Sequence, residues 1–199
     1  MACRAELARP GAGARLARAR CPLRRAWAGL CLACACAGGA AQAQAQGAPP
    51  PNLVPINERL ITSGQPSAEW LGQLKAQGYG AVIYLAPATV SDALKDEGLI
   101  VSRQGLVFVN LPIAFDNPTA QDVQSFFALL QALSGAKVLV HCQVNLRASS
   151  LVFLYRVIVG REDPQPAFDA VSQVWQPEGA WKRLIQAQLR QHGIKFELL

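Results

Sequence analysis

One short stretch near residue 140 combines a thiol, a polar turn and a guanidinium. A short apolar run covers residues 138–140, Cys142 follows it after one histidine, and Arg147 comes five positions later. The apolar run predicts a buried strand, and a second one over residues 148–159 predicts a buried helix. A turn at a helix N-terminus carries unpaired N–H groups and the positive end of the helix dipole, which favour an anion and a thiolate. Cys142 is therefore a candidate nucleophile in an anion-binding loop.

These groups suit phosphoryl transfer. A thiolate can attack the phosphorus of a phosphate monoester while backbone N–H groups and Arg147 hold the equatorial oxygens. The leaving oxygen then needs a proton, and Asp116 is the carboxylate placed to give it. Asp116 has an alternative role as a helix N-cap, although Thr119 already fills that position. Both interpretations of Asp116 remain open at the level of sequence.

The elements around this stretch alternate between strands and helices. The predicted strands cover 59–62, 81–85, 106–111 and 137–140, and the predicted helices cover 68–77, 91–103, 120–133, 148–159, 166–174 and 178–192. This alternation, without tight hairpins, predicts an α/β fold with a mainly parallel four- to five-stranded central sheet flanked by helices.

In such a sheet the ligand site lies beyond the carboxyl ends of the strands. Loops 86–89 and 114–117 and the cysteine turn should therefore converge there. Of the three, only loop 114–117 is expected to offer a carboxylate, that of Asp116.

The first 45 residues have a different composition from the rest. They contain seven arginines and one glutamate, which account for the whole net charge of +6, and the remainder carries twelve basic and twelve acidic side chains. A neutral domain gives no argument for nucleic-acid binding. A basic region, an apolar segment of about a dozen residues and a small-residue run follow one another, as in a secretory signal peptide. The apolar segment is too short to span a bilayer.

We therefore predict a signal peptide over residues 1–45, a linker over 46–51 and one folded domain over 52–199. Cleavage is expected after Ala43 or Ala45, which predicts a periplasmic or secreted protein with no stable membrane insertion after cleavage. Five of the six cysteines lie in the leader, so Cys142 has no disulfide partner in the domain. The two histidines, His141 and His192, are far apart, and we expect no metal site and no cofactor.

The order strand, His141-Cys142, turn, arginine, Ser149 and apolar helix resembles the signature of the cysteine-dependent protein tyrosine and dual-specificity phosphatases. The stretch from Arg59 through the turn at 63–66 to Tyr84 resembles, more narrowly, small bacterial phosphatase-like domains that also occur fused to metallo-β-lactamase-like hydrolases. The resemblance covers roughly residues 52–160.

This resemblance implies a protein tyrosine phosphatase-like fold and a phosphocysteine intermediate on Cys142. It implies that Asp116 is the acid, that Ser149 assists breakdown of the intermediate, and that the substrate is a phosphorylated small molecule or protein. It assigns substrate binding to the residues around the cysteine, namely His141, Gln143, Val144, Asn145, Leu146, Arg147 and Ala148.

The chain departs from the family pattern at one point. The family has five residues between cysteine and arginine, whereas only residues 143–146 separate Cys142 from Arg147. Asn145 then stands where glycine is common, and asparagine tolerates the left-handed conformation better than most residues. A shift of one position rotates a side chain by about 100° at the start of a helix, so Arg147 could face away from the phosphate.

Three functions follow from this spacing. The first is a phosphatase acting on a phosphotyrosine-like or small phosphoester. The second is a catalytically impaired domain that binds an anion or a partner. The third is a rhodanese-like sulfurtransferase, whose active loop commonly has four residues between cysteine and arginine. Rhodanese-like domains usually carry a Gly-His-Ile element upstream of the cysteine, which this chain lacks.

Overall fold

The computed structural model of this protein describes residues 47–198. The predicted signal peptide lies outside this range. The strands are β1 (Val54–Asn57), β2 (Leu60–Ser63), β3 (Ala81–Tyr84), β4 (Val107–Asn110) and β5 (Val138–His141). The helices are α1 (Ala68–Leu71), α2 (Glu97–Ser102), α3 (Ala120–Ala132), α4 (Leu146–Ile158), α5 (Pro164–Ser172) and α6 (Gly179–Gln191).

The strands form one five-stranded sheet in the order β1-β2-β5-β3-β4. All neighbouring pairs are parallel except β1 and β2. The predicted α/β class and mainly parallel sheet are thus confirmed. Strand β1 was not predicted from sequence, because its proline and polar residues give little strand signal. It occupies the edge of the sheet, where proline is tolerated.

The two faces of the sheet bury different sets of side chains. Ile83 and Val140 face the larger core with helices α3 to α6, whereas Val82 and Leu139 face the smaller core with α1 and α2. This alternation follows from the two-residue period of a strand. Strand β5 is buried at every position, as a strand covered on both faces must be. The cysteine therefore follows a strand that is enclosed on both faces.

Several helix boundaries differ from the sequence prediction. Helix α1 starts after the Ser67 cap as expected, but its regular turns end at Gly72, which has low helix propensity. Helix α2 begins at Glu97 rather than at residue 91, so residues 85–96 form a long loop after β3. Helix α4 begins two residues earlier than predicted. None of the helices within residues 47–198 combines the length and apolarity needed to cross a bilayer.

Candidate active site

Cys142 lies directly after β5, at the carboxyl end of the central strands. Its side chain is fully buried and its thiol is free. The backbone N–H of Cys142 donates to Ser63 O at 3.3 Å, which ties the cysteine to the end of β2. The candidate nucleophile therefore stands where the sequence analysis expected a ligand site in a parallel sheet.

The loop after Cys142 is held in place by donors from other segments, which bond to its backbone carbonyl groups. Gln143 O accepts from the backbone N–H of Gln65 at 2.9 Å, and Val144 O accepts from Asn52 Nδ2 at 3.0 Å. In a trans peptide the next N–H points away from the carbonyl. The N–H group of Val144 therefore points away from Gln143 O toward the inside of the loop, and no acceptor within residues 47–198 takes it. Gly64 and Val144 also form an isolated antiparallel bridge, which ties the loop to the end of β2.

A glycine allows this close approach. A Cβ atom added at Gly64 would lie 2.8 Å from Gln143 O and 3.0 Å from Pro51 O. Any side chain at this position would push the loop away from the end of β2. Gly64, which the sequence analysis placed in a simple turn, therefore has a direct part in shaping the cysteine loop.

Asn145 ends the loop and starts helix α4. It adopts the left-handed conformation with φ 72°, which confirms the expectation for this position. Its buried side chain donates from Nδ2 to Asn52 O at 2.6 Å and to Thr62 Oγ1 at 3.0 Å. The N–H groups of Leu146 to Ala148 follow in the first turn of α4, where a helix has no partner for them. They can serve an anion.

The side chain of Arg147 bridges two loops. Its Nε donates to Ile113 O at 3.0 Å, and its Nη1 donates to Gln143 Oε1 at 3.4 Å. The guanidinium carbon lies 5.1 Å from the ring centroid of Phe115. Arg147 is only 5% exposed, so its early position does not turn it out to solvent. It lies between the cysteine loop and the loop after β4.

The two other residues to which the resemblance gives roles differ in their surroundings. Asp116 is exposed in the loop between β4 and α3, beside the Phe115 that packs on Arg147. Within residues 47–198 its carboxylate has no hydrogen bond or ion pair. Ser149 is buried, and its Oγ donates to Leu146 O at 3.3 Å. The hydroxyl therefore points back into the first turn of α4.

One residue at the site was missed from sequence. Asp92 lies in the loop between β3 and α2, and its Oδ1 accepts from Gln143 Nε2 at 2.7 Å. The sequence analysis assigned residue 92 to a helix and expected a carboxylate from loop 114–117 alone, which is wrong. The available signal was Pro87 followed by Thr89 and Ser91, residue types that favour a loop.

A buried polar cluster lies behind the cysteine. His141 Nε2 is 2.6 Å from Glu97 Oε1, and Gln65 Nε2 donates to Glu97 Oε2 at 2.9 Å. The His141 ring stacks on Tyr84 with centroids 4.8 Å apart. Because the imidazole is fully buried and paired, His141 supports the loop from behind rather than contacting a ligand with its side chain.

The pKa of Tyr84 depends on the charges around this cluster. The pKa of Tyr84 is raised to about 12, mainly by burial and further by the negative charges of Glu97, Asp92 and Cys142, while Arg147 opposes the rise. Its hydroxyl is buried without a hydrogen-bond partner in the part of the chain that the structure describes. The charges of the thiol, the guanidinium and two carboxylates therefore all affect the pKa of the Tyr84 hydroxyl. No three potential metal ligands cluster anywhere in residues 47–198.

Comparison with known proteins agrees with this geometry. Curated relatives are the "Beta-lactamase hydrolase-like protein" of two Xylella fastidiosa strains, each 35% identical over 115 residues, or 55% of this chain and 26% of theirs. The chain thus spans about a quarter of those relatives.

Solved structures give the same fold. A candidate phosphatase (DUF442) from Shewanella putrefaciens CN-32 is 30% identical, with a TM-score of 0.66 over 71% of this chain and 93% of that one. TpbA from P. aeruginosa has a TM-score of 0.54 at 22% identity over 70% and 84% of the two chains, which shows a shared fold. The model of one family, described as "DSP-PTPase phosphatase fused to NAD+ Kinase", matches residues 54–186. By this match the chain belongs to that family of protein tyrosine phosphatase-like phosphatases.

Proposed function

We propose that this domain hydrolyses a phosphate monoester through a phosphocysteine intermediate on Cys142. One observation carries the proposal. The buried thiol lies at the base of a loop whose outer carbonyls are fixed by Gln65 and Asn52, so that the N–H group of Val144 faces inward and the N–H groups of the first turn of α4 follow it. A loop ordered in this way binds an anion without reorganisation, which is the main source of electrostatic catalysis.

In the first chemical step the thiolate of Cys142 attacks phosphorus. The bond to the leaving oxygen breaks, and Asp116 gives that oxygen a proton. The loop N–H groups and Arg147 stabilise the charge on the equatorial oxygens. In the second step water attacks the phosphocysteine and the thiolate leaves. By resemblance, Ser149 assists this step.

The charges around the loop favour a monoester. Arg147 is the only basic residue in 142–149, loop 112–119 contains none, and loop 85–96 contains Lys95 alone. A polyphosphate would need more cations than this. Among proteins of similar fold, a cysteine-to-serine variant of TpbA has been solved with phosphotyrosine, and a yeast relative is named a PP-IP phosphatase. We propose a phosphotyrosine-like or small phosphoester, free or on a protein, as the substrate.

The test is hydrolysis of p-nitrophenyl phosphate by the purified protein and two variants. Cys142→Ser should abolish turnover, because the thiolate is the nucleophile. Arg147→Ala should lower the rate about a hundredfold or more, since the loss of one transition-state donor costs about 3 kcal/mol. Full activity in the cysteine variant would contradict the mechanism, and full activity in the arginine variant would remove Arg147 from phosphate binding.

A second candidate is anion or partner binding without turnover. It is favoured by the commitment of Arg147 Nε to Ile113 O and by the unsupported carboxylate of Asp116. Tight binding of vanadate or phosphate to a protein that hydrolyses no aryl phosphate would select this function. Transfer of sulfur from thiosulfate to cyanide would select the sulfurtransferase instead.

We also propose export to the periplasm or outside the cell. The support is the order of basic, apolar and small-residue segments in the leader. Expression in a bacterial host, fractionation and N-terminal sequencing of the exported form should give a new N-terminus after Ala43 or Ala45. A full-length chain retained in the cytoplasm would contradict the signal.

A further inference from the structure

We propose that Trp181 is a positioning residue for the first chemical step, in which Asp116 gives a proton to the leaving oxygen. The indole N–H of Trp181 holds the carbonyl group of Phe115, and this carbonyl belongs to the peptide bond that leads into Asp116. This role rests on the proposed function and deepens it, because it accounts for the placement of an acid whose carboxylate makes no hydrogen bond within residues 47–198.

The indole of Trp181 reaches from helix α6 to the backbone of the loop between β4 and α3. Its Nε1 donates to Phe115 O at 2.9 Å, and the residue is only 1% exposed. A hydrogen bond shielded from water is stronger than one that competes with solvent. Since the Phe115 carbonyl and the Asp116 N–H share one planar peptide unit, this bond also fixes the backbone that enters Asp116.

A second contact holds the same loop two residues earlier. Arg147 Nε donates to Ile113 O at 3.0 Å, and the N–H of Ile113 donates to Leu85 O at 3.0 Å. Helix α6 and the cysteine loop thus hold this loop through different carbonyl groups. On the other side of the acid, the Thr119 capping box fixes the start of α3. Only residues 116–118, which end in a proline, lie between these fixed points.

The ring of Phe115 contacts both of the residues that hold the loop. Its centroid lies 6.0 Å from that of the Trp181 ring and 5.1 Å from the guanidinium carbon of Arg147. A shift of the Phe115 backbone would therefore move the ring that packs on Arg147 together with the peptide of Asp116. A displacement of about 1 Å at a reacting group can lower a rate about a hundredfold, so a bond that prevents this shift matters for the proton transfer.

The decisive variant is Trp181→Phe, which keeps a buried aromatic ring and removes the N–H donor. Its kcat/KM for p-nitrophenyl phosphate and for phenyl phosphate measures the first chemical step. Nitrophenolate is a weak base and leaves without a proton, whereas phenolate is a stronger base and needs the acid. The variant should lower kcat/KM about tenfold or more for phenyl phosphate and about threefold or less for p-nitrophenyl phosphate.

The ratio of the two kcat/KM values separates proton transfer from folding. Both substrates meet the same folded fraction of the variant, so a loss of stability lowers both values and leaves their ratio unchanged. A misplaced acid changes the ratio, because only one of the two leaving groups depends on it.

Trp175→Phe is the matched control. Trp175 packs on the same Phe115 ring, also with centroids 6.0 Å apart, but its Nε1 is buried without a hydrogen-bond partner in the part of the chain that the structure describes. The same exchange therefore removes an indole N–H that holds no carbonyl of the loop within residues 47–198. The ratio for Trp175→Phe should equal that of the wild type.

Asp116→Asn connects the effect of Trp181 to the acid. This variant should lower kcat/KM for phenyl phosphate about a hundredfold or more, the usual contribution of a general acid, and should affect p-nitrophenyl phosphate much less. Trp181→Phe added to Asp116→Asn should leave the ratio unchanged, because no acid remains to be positioned. A further change of the ratio in the double variant would contradict a role that acts through Asp116.

The outcomes distinguish this role from the function on which it rests. If Trp181→Phe lowers both kcat/KM values equally, or if Trp175→Phe changes the ratio as much, Trp181 is not a positioning residue and the proposed function stands. If Asp116→Asn leaves the ratio unchanged, Asp116 is not the acid and Trp181 loses its role with it. If the wild type hydrolyses neither aryl phosphate, both proposals fail together.

Discussion

The cysteine loop is held by two regions of opposite character. The first, which we call the cradle, consists of Asn52, Thr62, Gly64, Gln65 and Asn145. Hydrogen bonds of 2.6 to 3.0 Å join these residues to one another and to the loop, and three of the four end on a backbone oxygen.

The second region, the mouth, consists of Asp92, Phe115 and Asp116. Its residues are exposed and reach the loop through side chains alone, or not at all. The difference teaches that the cysteine loop shares its hydrogen bonds with the fold itself, whereas the residues of the mouth are exposed and make few contacts with it. Substitutions in or behind the cradle should therefore change stability and rate together, and substitutions in the mouth should change mainly the rate.

The largest effect is expected behind the cradle, at Glu97. This carboxylate is 2% exposed and pairs with the buried His141. Glu97→Ala leaves the imidazole without a partner, and the free energy of unfolding should fall by about 3 to 5 kcal/mol. Glu97→Gln keeps an acceptor at this position and should lose less. Urea unfolding measures both, and a loss below about 1 kcal/mol in the alanine variant would contradict the support role.

Within the cradle, two substitutions at Asn145 separate backbone conformation from hydrogen bonding. Asn145→Gly keeps the left-handed conformation and loses two hydrogen bonds, which should cost about 2 kcal/mol. Asn145→Ala also places a Cβ in that conformation and should cost about 1 kcal/mol more. The difference between their urea midpoints measures the backbone strain of a residue with a Cβ atom in the left-handed conformation. Equal stability would mean that the φ of 72° does not constrain the residue type.

In the mouth, Phe115→Ala should separate rate from stability. The ring is 40% exposed and packs on the guanidinium of Arg147. Its removal also ends ring contacts with Trp175 and Trp181, each with centroids 6.0 Å away, and should lower the free energy of unfolding by about 1 to 2 kcal/mol. The rate on an aryl phosphate should fall, because Arg147 loses one of its restraints. A loss of stability as large as that of Asn145→Ala would erase the distinction between mouth and cradle.

The smallest effect at neutral pH is expected from Tyr84→Phe, and it grows in alkali. The pKa of Tyr84 is raised from 10 to about 12 in the folded protein. Between these values the unfolded chain binds fewer protons than the folded one, so stability falls as the pH rises. Tyr84→Phe removes this loss, and its thermal midpoint should decline less than that of the wild type from about pH 8 to about pH 11. If the thermal midpoints of the two proteins declined equally with pH, the raised pKa of Tyr84 would be contradicted.

Local signals in the sequence were sufficient for much of this structure. The apolar run before Cys142 predicted β5, the Thr119 capping box predicted the start of α3, and Asn145 was expected to be left-handed. Each of these depends on neighbouring residues. The order of loops at the carboxyl edge followed from the parallel sheet, which brought the loop of Asp116 near Arg147.

The features that were missed depend on distant partners. Glu97 carries a charge, and nothing in its own surroundings indicates that it is buried against His141. Asp92 was assigned to a helix, because residues 91–103 contain helix-forming residues, yet regular turns start only at Glu97. Strand β1 exists because β2 offers it an edge to pair with. A single sequence shows which residues are present but does not indicate which distant residues contact each other in the fold.

The link between Asn52 and the loop has a consequence for where the domain can be shortened. Asn52 Nδ2 donates to Val144 O, and Asn52 O accepts from Asn145 Nδ2, so one residue completes two bonds across more than ninety positions of chain. The family match begins at Val54, two residues later. A protein trimmed to that match would keep every strand and the thiol. Its cysteine loop, however, would lose both hydrogen bonds to Asn52. Low phosphatase activity in such a fragment would therefore reflect the loss of Asn52 and would not represent the activity of the longer domain.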